Sequence, residues 1–225
     1  MKNDRHDIAI PVPAHPGSTT GGFITPAGKD LINRAIDNAE RQSSGEIVAV
    51  VASESDSYLF EPLLWAALAA LASAWPFIYL TWLSVHWICV IQIAVFVLLA
   101  LIFTARPLRY ALVPQRTKQR RAHARAVQQF LVQNLHTTEG RTGIMLFVSV
   151  AERYAEILAD TTIHAKVPPS TWQSIIDRMT SEIGQGRTTE AFVHAIETCA
   201  TLLAEHFPPD SDNGDVLPNH LIVLN

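Results

Sequence analysis

Cysteine and charge are the two things this sequence has least of. Cys89 and Cys199 are its only cysteines, and neither lies in a CxxC pair or in a cysteine and histidine cluster with zinc spacing. This excludes a disulfide framework and indicates a reducing compartment. Charged residues make up 17% of the 225 positions and apolar residues 48%, with a mean hydropathy above zero. The composition is too apolar for an ordinary soluble domain and excludes a disordered chain.

The missing charge is concentrated in one segment. Residues 62–103 are 42 consecutive positions without Asp, Glu, Lys or Arg. One helix of that length would measure about 63 Å at ~1.5 Å per residue, roughly twice the ~30 Å hydrocarbon core of a bilayer. We therefore predict two antiparallel membrane spans, at about residues 62–82 and 85–103. Two buried helices of a soluble protein are the alternative, but such helices usually carry a polar edge that these spans lack.

The residues that follow the second span set its orientation. Seven basic and no acidic residues lie between Thr104 and Arg125, which by the positive-inside rule places this flank in the cytoplasm. A hairpin returns both ends to the same face, and residues 1–25 contain no apolar signal-peptide core, so both termini are expected in the cytoplasm. Nucleic-acid binding is the rival explanation of the basic run. Because the run adjoins a span, membrane topology and contact with anionic lipids are favoured.

Outside the uncharged segment the sequence predicts one α/β domain. Thr25 followed by Pro26 begins a helix, and the apolar run at Glu46–Ala52 has the pattern of a buried strand. After the spans come a helix, two strand-like runs at 143–150 and 154–160, and two closing helices. We divide the chain into a flexible tail (1–24), the first part of the domain (25–60), the hairpin (61–104), the second part of the domain (105–207) and a C-terminal tail (208–225).

Four short motifs lie at the predicted strands and the turns that follow them. They are Ser44-Gly45-Glu46-Ile47, Ser55-Asp56-x-Tyr58, the run from Gly143 to Ser149, and Glu152-Arg153-x-x-Glu156-Ile157-x-x-Asp160. Together these motifs resemble the TPM-domain family, which is named for members in thylakoids and for a receptor modulator. The apolar pair inserted in the domain resembles the arrangement in a bacterial branch of the family, in which two transmembrane helices interrupt the domain. The resemblance implies an α/β/α sandwich, and for some members an acid phosphatase activity or divalent-metal binding has been proposed.

Complete catalytic motifs are missing from the sequence. Cys199 does not begin the CxxxxxR loop of a cysteine phosphatase, HExxH does not occur, and the loop at 184–189 lacks the lysine of a P-loop. Residues 210–215 resemble a calcium loop, but their glycine comes one position early and the closing carboxylate is absent. The catalytic residues are therefore unknown at this point.

Acidic residues near strand ends remain as candidates. Asp160 closes the third strand and Asp56 follows the first, while Glu46 and Glu156 lie on strands. We assign Asp160, Asp56 and Glu46 as candidate ligands of Ca²⁺ or Mg²⁺, and Arg153 and Glu156 as further site residues. Each has a structural alternative: Asp160 as a turn or cap residue, Asp56 as an exposed loop acid, and Glu46 with Arg153 as an ion pair.

The sequence as a whole predicts a multi-pass protein of the bacterial inner membrane with a cytoplasmic TPM-like domain. We interpret it as a binding or assembly module for other membrane proteins, with the lipid bilayer but not nucleic acid as a further partner. A metal-dependent phosphatase is the alternative, and whether the protein is an enzyme stays open. A transporter subunit is disfavoured, because His86 at the turn is the one ionisable side chain of the two spans.

Overall fold

The structure, a computed structural model, describes residues 23–82, 84–135, 142–208 and 220–224. Its chain divides into two compact units, the first made of residues 1–55 and 119–225 and the second of residues 56–118. Nearly all of the tail predicted at 1–24 lies outside the described residues, as does the calcium-like stretch at 210–215.

A four-stranded sheet forms the centre of the first unit. Its order is β3 (Tyr154–Ala159), β2 (Gly143–Ser149), β1 (Glu46–Ala52) and β4 (Ile222–Leu224). β1 pairs in parallel with β2, although the whole second unit separates them in the chain. β3 returns antiparallel to β2, and β4 adds in parallel to the other side of β1. Parallel strands that are covered on both faces are apolar at consecutive positions, which explains the continuous apolar runs of β1 and β2.

Helices cover both faces of this sheet. On one face Ile47, Ala49 and Val51 of β1 pack in a core with residues of three long helices. On the other face Ala122 and Ala126 pack against the alternate residues of β1 and β2. A sheet between two helical layers is an α/β/α arrangement, so the fold class predicted from the sequence is confirmed. The helices of the first face are α1 (Pro26–Glu40), α7 (Pro169–Gly184) and α8 (Thr188–His206), and that of the second face is α5 (Gln115–Val132).

Local sequence explains where α1 begins and how closely it packs. The Thr25 hydroxyl accepts a hydrogen bond from Gly28 N–H at 3.1 Å, and Pro26 occupies the first helical position. Gly28 lies against Thr189 of α8, where a Cβ atom would collide with the threonine hydroxyl. The glycine therefore allows α1 and α8 to approach each other within the core of the first unit.

The second unit contains the two long apolar helices that the sequence predicts. α2 (Phe60–Leu80) and α3 (Val85–Thr104) pack against each other, and α2 contributes the buried Ala66 and Ala70. α3 has no buried residue. Both helices are long and apolar enough to cross a membrane, judged by length and composition.

Three short elements differ from the sequence-based prediction. α4 (Arg106–Ala111) and α6 (Thr161–Lys166) have six residues each, too few for a helical period to show in the sequence. The predicted C-terminal tail ends in β4, which pairs with β1, and Leu221 N–H donates to Asn33 Oδ1 at 2.8 Å. A strand of three residues is stabilised by its pairing and not by its own pattern, which is why the sequence did not reveal it.

Candidate functional site

The carboxyl ends of β1 and β2 are joined by a buried carboxylate, Glu152. This residue is 2% exposed and lies in the turn between β2 and β3. One carboxylate oxygen accepts a hydrogen bond from Ser55 N–H at 2.8 Å, and the other accepts from the Ser149 hydroxyl. The Ser55 hydroxyl donates to Ser149 Oγ at 2.8 Å. Because both oxygens of Glu152 are engaged, the carboxylate fixes the chain where it leaves β1 and β2.

A second polar cluster lies between α5 and β3. Glu156 accepts hydrogen bonds from His123 Nδ1 at 2.9 Å and from the Tyr154 hydroxyl at 2.9 Å. An ionised carboxylate only accepts, so we assign the Nδ1 proton to His123. The His123 and Glu156 side chains are 26% and 14% exposed, which shields the pair partly from water. The cluster attaches edge strand β3 to the helix that covers this face.

The amino edge of the sheet, at the opposite ends of β1 and β2, holds Glu46 and Asp160. Glu46 pairs with Gly143, and Asp160 N–H donates to the Gly143 carbonyl, so the two acids flank this glycine. Two strand spacings of ~4.8 Å separate their backbones by about 10 Å. Leu135 lies over Gly143, since a Cβ atom there would be 2.7 Å from the Leu135 carbonyl oxygen. The leucine therefore covers the strand between the two acids.

Asp160 itself caps α6. Its Oδ1 accepts hydrogen bonds from Thr161 N–H at 2.5 Å and from the Thr161 hydroxyl at 3.0 Å. Its Oδ2 is shielded from solvent, and within the described part of the chain this atom has no hydrogen-bond partner. Oδ1 of Asp160 thus caps α6, whereas Oδ2 is the atom to which a ligand could bind.

The predicted site residues are distributed over both edges of the sheet. Asp56 directly follows Ser55 in the chain, beyond the carboxyl end of β1, whereas Glu46 begins β1 at the amino edge. Seven residues at ~3.3 Å each place about 20 Å between these edges. Arg153 lies in the β2–β3 turn at the carboxyl edge, so its suggested ion pair with Glu46 is wrong. Asp56 is exposed, and its Oδ1 accepts from Ser57 N–H at 2.6 Å.

The described residues form no metal centre with three or more donor side chains. Over residues 23–82, 84–135, 142–208 and 220–224, no three His, Cys, Asp or Glu side chains are grouped so that they could hold an ion. Glu46 and Asp160 are the two predicted ligands that share an edge, with Leu135 over the strand between them. Of the three candidate ligands, Glu46 and Asp160 therefore share one edge of the sheet, and Asp56 lies beyond the other edge.

An ionic cluster also joins α7 to α8. Glu182 accepts from His194 Nδ1 at 3.0 Å and from Arg178 Nε at 3.2 Å. Burial by itself opposes ionisation of Glu182, but the hydrogen bonds from His194 and Arg178 outweigh it and hold the pKa of this carboxyl below its usual value of 4.5. The ionised carboxylate therefore stabilises the contact between the two helices.

Cys199 could in principle act as a nucleophile, but its thiol is much less acidic than an ordinary cysteine thiol. It lies in the core of the first unit and is fully buried, which raises the pKa of its thiol to about 12. The thiolate is the reactive form of cysteine, so this side chain is inert at neutral pH. Cysteine-based phosphatase chemistry at Cys199 is excluded on this ground as well as by its sequence context.

A sequence comparison relates part of the chain to a known family. Residues 106–202, which are 97 of the 225 residues, match the TPM domain. This segment is similar to a TPM domain. It runs from α4 into α8, and it includes His123, Glu152, Glu156 and Asp160. β1 precedes the match, yet it is the strand that joins β2 to β4 in the sheet of this chain.

A solved structure has a fold similar to that of this chain. The BA42 protein of the psychrophilic bacterium Bizionia argentinensis, determined by NMR, is similar with a TM-score of 0.58 and 19% sequence identity. The alignment covers 92% of this chain and 99% of BA42. At this identity the likeness shows the fold alone. No curated protein matches the chain.

Sequence reasoning assigned no site role to Glu152, Ser149 or His123, although the first two lie in motifs that resemble the TPM-domain family. A local signal existed for the first two, because Ser149 and Glu152 have the S-x-x-E spacing that is usually a helix capping box. Here the same spacing brings the hydroxyl to the carboxylate across a turn between strands. His123 had no local signal, because its partner Glu156 is 33 positions further along the chain.

Proposed function

We propose that this protein is a membrane-anchored TPM domain that serves as a binding or assembly module for other membrane proteins. The observation that carries the proposal is the position of the apolar helices. They are inserted between β1 and β2, two strands that pair directly along their full length. Because the sheet needs chain on both sides of the insert, the domain is tied to the hairpin at two points and cannot be released by cleavage of one linker.

The surface of the hairpin supports membrane anchoring. α3 consists of 20 residues, none of them buried, with Ile93, Leu98 and Leu101 each more than half exposed. Soluble proteins rarely expose apolar patches larger than a few hundred Å². A helix with such a surface is suited to contact with lipid. The basic run after it favours a multi-pass arrangement in the bacterial inner membrane with both termini in the cytoplasm.

The polar clusters of the first unit support a binding role more than turnover. The carboxylates of Glu152, Glu156 and Glu182 are each hydrogen-bonded to two other groups of the same unit. Carboxylates that are bound in this way hold the chain where it leaves the strands and hold neighbouring elements together. They thereby give the domain a rigid surface to which a partner can bind. We place the binding function on this domain and the anchoring function on the hairpin.

A metal-dependent phosphatase is the second candidate, favoured by the unpartnered Oδ2 of Asp160 near Glu46. A weak Ca²⁺ or Mg²⁺ site there is part of the proposal, with oxygen ligands as these ions prefer. Hydrolysis of an aryl phosphate by the full chain, with and without each metal, tests it. Metal-dependent turnover that Asp160→Asn abolishes would favour the phosphatase over the binding module.

The binding function is tested by crosslinking in intact membranes. The tagged full chain is compared with an anchor-only chain that keeps residues 56–118 and lacks the first unit, and with a chain whose α2 and α3 are replaced by an unrelated hairpin. We expect the same membrane proteins to be enriched with the first and third chains and not with the anchor alone. Enrichment no greater than that of the anchor-only control would contradict the proposal.

A further inference from the structure

The start of α5 carries an unusual concentration of positive charge. Arg116, Lys118, Arg120 and Arg121 lie in its first two turns, and its first turn has no acidic residue. Arg116 and Arg120 are both exposed and are one helical turn apart, so their side chains leave the same face of the helix. The buried positions Ala122 and Ala126 belong to the opposite side of α5.

This placement opposes the stability of the helix itself. The amino end of a helix carries a partial positive charge from its unsatisfied N–H groups, so basic side chains there are unfavourable and acidic ones are favourable. Two like charges four residues apart add a further repulsion. Arg116 in the first turn breaks the first of these rules, and its pairing with Arg120 breaks the second. Two such departures at exposed positions point to an anionic partner that offsets the cost.

The structure also shows what closes the hairpin immediately before α5. The ring of Tyr58, which precedes α2, meets the ring of Tyr110 in α4 edge to face with centroids 5.7 Å apart. The Arg109 guanidinium lies 5.0 Å from the centre of the Tyr110 ring. Tyrosine and arginine side chains are typical of the headgroup level of a membrane. Three residues lie between Ala111 and Gln115, and the four residue-to-residue steps reach at most about 14 Å, which keeps the start of α5 near this level.

We propose that the face formed by Arg116 and Arg120 docks on anionic phospholipid headgroups of the cytoplasmic leaflet. The inference rests on the membrane anchoring proposed above and adds a lipid class to it. Each guanidinium can donate two hydrogen bonds to a lipid phosphate, and phosphatidylglycerol offers a net negative charge that phosphatidylcholine lacks. The lipid phosphate supplies the negative charge that the amino end of α5 lacks in its own sequence.

The test uses the full chain purified into mixed micelles of equimolar phosphatidylglycerol and phosphatidylcholine. Native mass spectrometry counts the lipids of each class that the protein retains. We expect the wild type to retain phosphatidylglycerol preferentially. The double variant Arg116→Gln/Arg120→Gln should lose most of this preference, about thirtyfold for two surface charges. The control variant Arg34→Gln/Arg187→Gln removes the same two charges from exposed positions on α1 and before α8, and it should keep the preference.

A second measurement separates docking from folding. In phosphatidylcholine alone, Arg116→Gln/Arg120→Gln should melt no lower than the wild type, because it removes charges that oppose the helix dipole. In phosphatidylglycerol the wild type should gain melting temperature and the double variant should not. A lower melting temperature of the variant in both lipids would assign the two arginines a structural role and overturn the proposal.

Further results would contradict either the docking on anionic lipid or the membrane anchoring on which it rests. Equal retention of the two lipids by the wild type, or an equal loss of preference in the control variant, would overturn docking at this face. A labelled RNA oligonucleotide bound by the wild type and lost in Arg116→Gln/Arg120→Gln, without lipid preference, would assign the face to nucleic acid. Extraction of the wild type from membranes by alkaline carbonate would contradict the anchoring itself, whereas stable insertion without a headgroup preference would contradict the docking alone.

Discussion

The central strands of the first unit and the second long helix of the hairpin are both apolar, yet their surroundings are opposite. All seven residues of β2 are buried, and so are six of the seven in β1, whereas none of the 20 residues of α3 is buried. Burial of apolar surface stabilises a fold by about 25 cal/mol per Å². The strands obtain this stabilisation from helices packed on both faces, whereas every residue of α3 is at least partly exposed. Apolar sequence alone therefore does not distinguish a buried strand from an exposed helix that is a candidate membrane span, but burial does.

The largest expected effect comes from a matched pair of substitutions, one in β1 and one in α3, that introduce the same charge into the two apolar regions. Val50 is 0% exposed at the centre of β1, between Phe147 of β2 and Ile222 of β4, and Val97 is 49% exposed on α3. Val50→Asp buries an unpaired carboxylate at a cost of several kcal/mol, which is comparable with the ~5–15 kcal/mol stability of a domain. We expect it to abolish the cooperative melting of the first unit, measured by circular dichroism.

Val97→Asp is the counterpart in the hairpin. It should leave the melting of the first unit unchanged and weaken membrane insertion by about 2.5–3.5 kcal/mol, seen as release by alkaline carbonate. If Val97→Asp unfolded the first unit, or if Val50→Asp were tolerated, the difference between the two apolar regions would not be one of protein burial.

The second prediction removes the hairpin altogether. Joining Ser55 to Gln119 by a short flexible linker keeps all four strands and both cores of the first unit. We expect a soluble monomer on gel filtration that melts in one cooperative transition, because the strands share one core. The fragment 119–225 lacks β1, the strand between β2 and β4, and should not fold. Cooperative melting of that fragment would show that the two halves of the domain are independent.

The fold was predictable where several local signals agreed. Thr25 and Pro26 marked the start of α1, and the apolar runs of β1 and β2 were long enough to identify as buried strands. The short elements were not predictable, because β4 depends on its pairing with β1, and α4 and α6 are too short to show a period. Long elements are specified by their own residues, whereas short ones are specified by contacts with distant parts of the chain.

The candidate site was less predictable, because a strand end in the sequence does not reveal which edge of the sheet it occupies. Asp160 directly follows β3 and Asp56 follows β1, but β3 is antiparallel to β2, so its end lies at the edge of the sheet where β1 and β2 begin. Glu46 therefore shares an edge with Asp160, and Asp56 does not. Strand direction is set by long-range pairing, which residue types and spacing do not record.

The third prediction concerns pH and the first unit alone. The pKa of Glu182 is lowered in the folded chain by the hydrogen bonds from His194 and Arg178. A lowered folded-state pKa adds stability above the unfolded-state value near 4.5, and this stability is lost as pH falls through the folded-state pKa. Glu182→Gln should therefore be less stable at pH 7 by about 1 kcal/mol and lose less on acidification below about 4.5.

Denaturant melts at pH 7 and pH 3.5 measure this difference, with Glu197→Gln as the control, since Glu197 is an exposed acid of α8. Carbonate extraction of both variants should match that of the wild type, which would confine the effect to the first unit. An equal pH dependence of Glu182→Gln and wild type would assign the acid sensitivity of the domain to other carboxyl groups.

The smallest expected effect is that of a divalent ion on Asp160. A ligand at ten times its dissociation constant stabilises the folded state by about 1.4 kcal/mol, which corresponds to a few degrees in melting temperature. We expect millimolar Ca²⁺ or Mg²⁺ to produce such a rise in the full chain and Asp160→Asn to abolish it. Asparagine is as good a helix cap as aspartate, so the metal-free melt of the variant should be nearly unchanged. Asp56→Asn, a change beyond the opposite edge of the sheet, should keep the full rise. A rise that persists in Asp160→Asn, or none in the wild type, would leave Asp160 with its cap role alone, in which its Oδ1 accepts hydrogen bonds from Thr161.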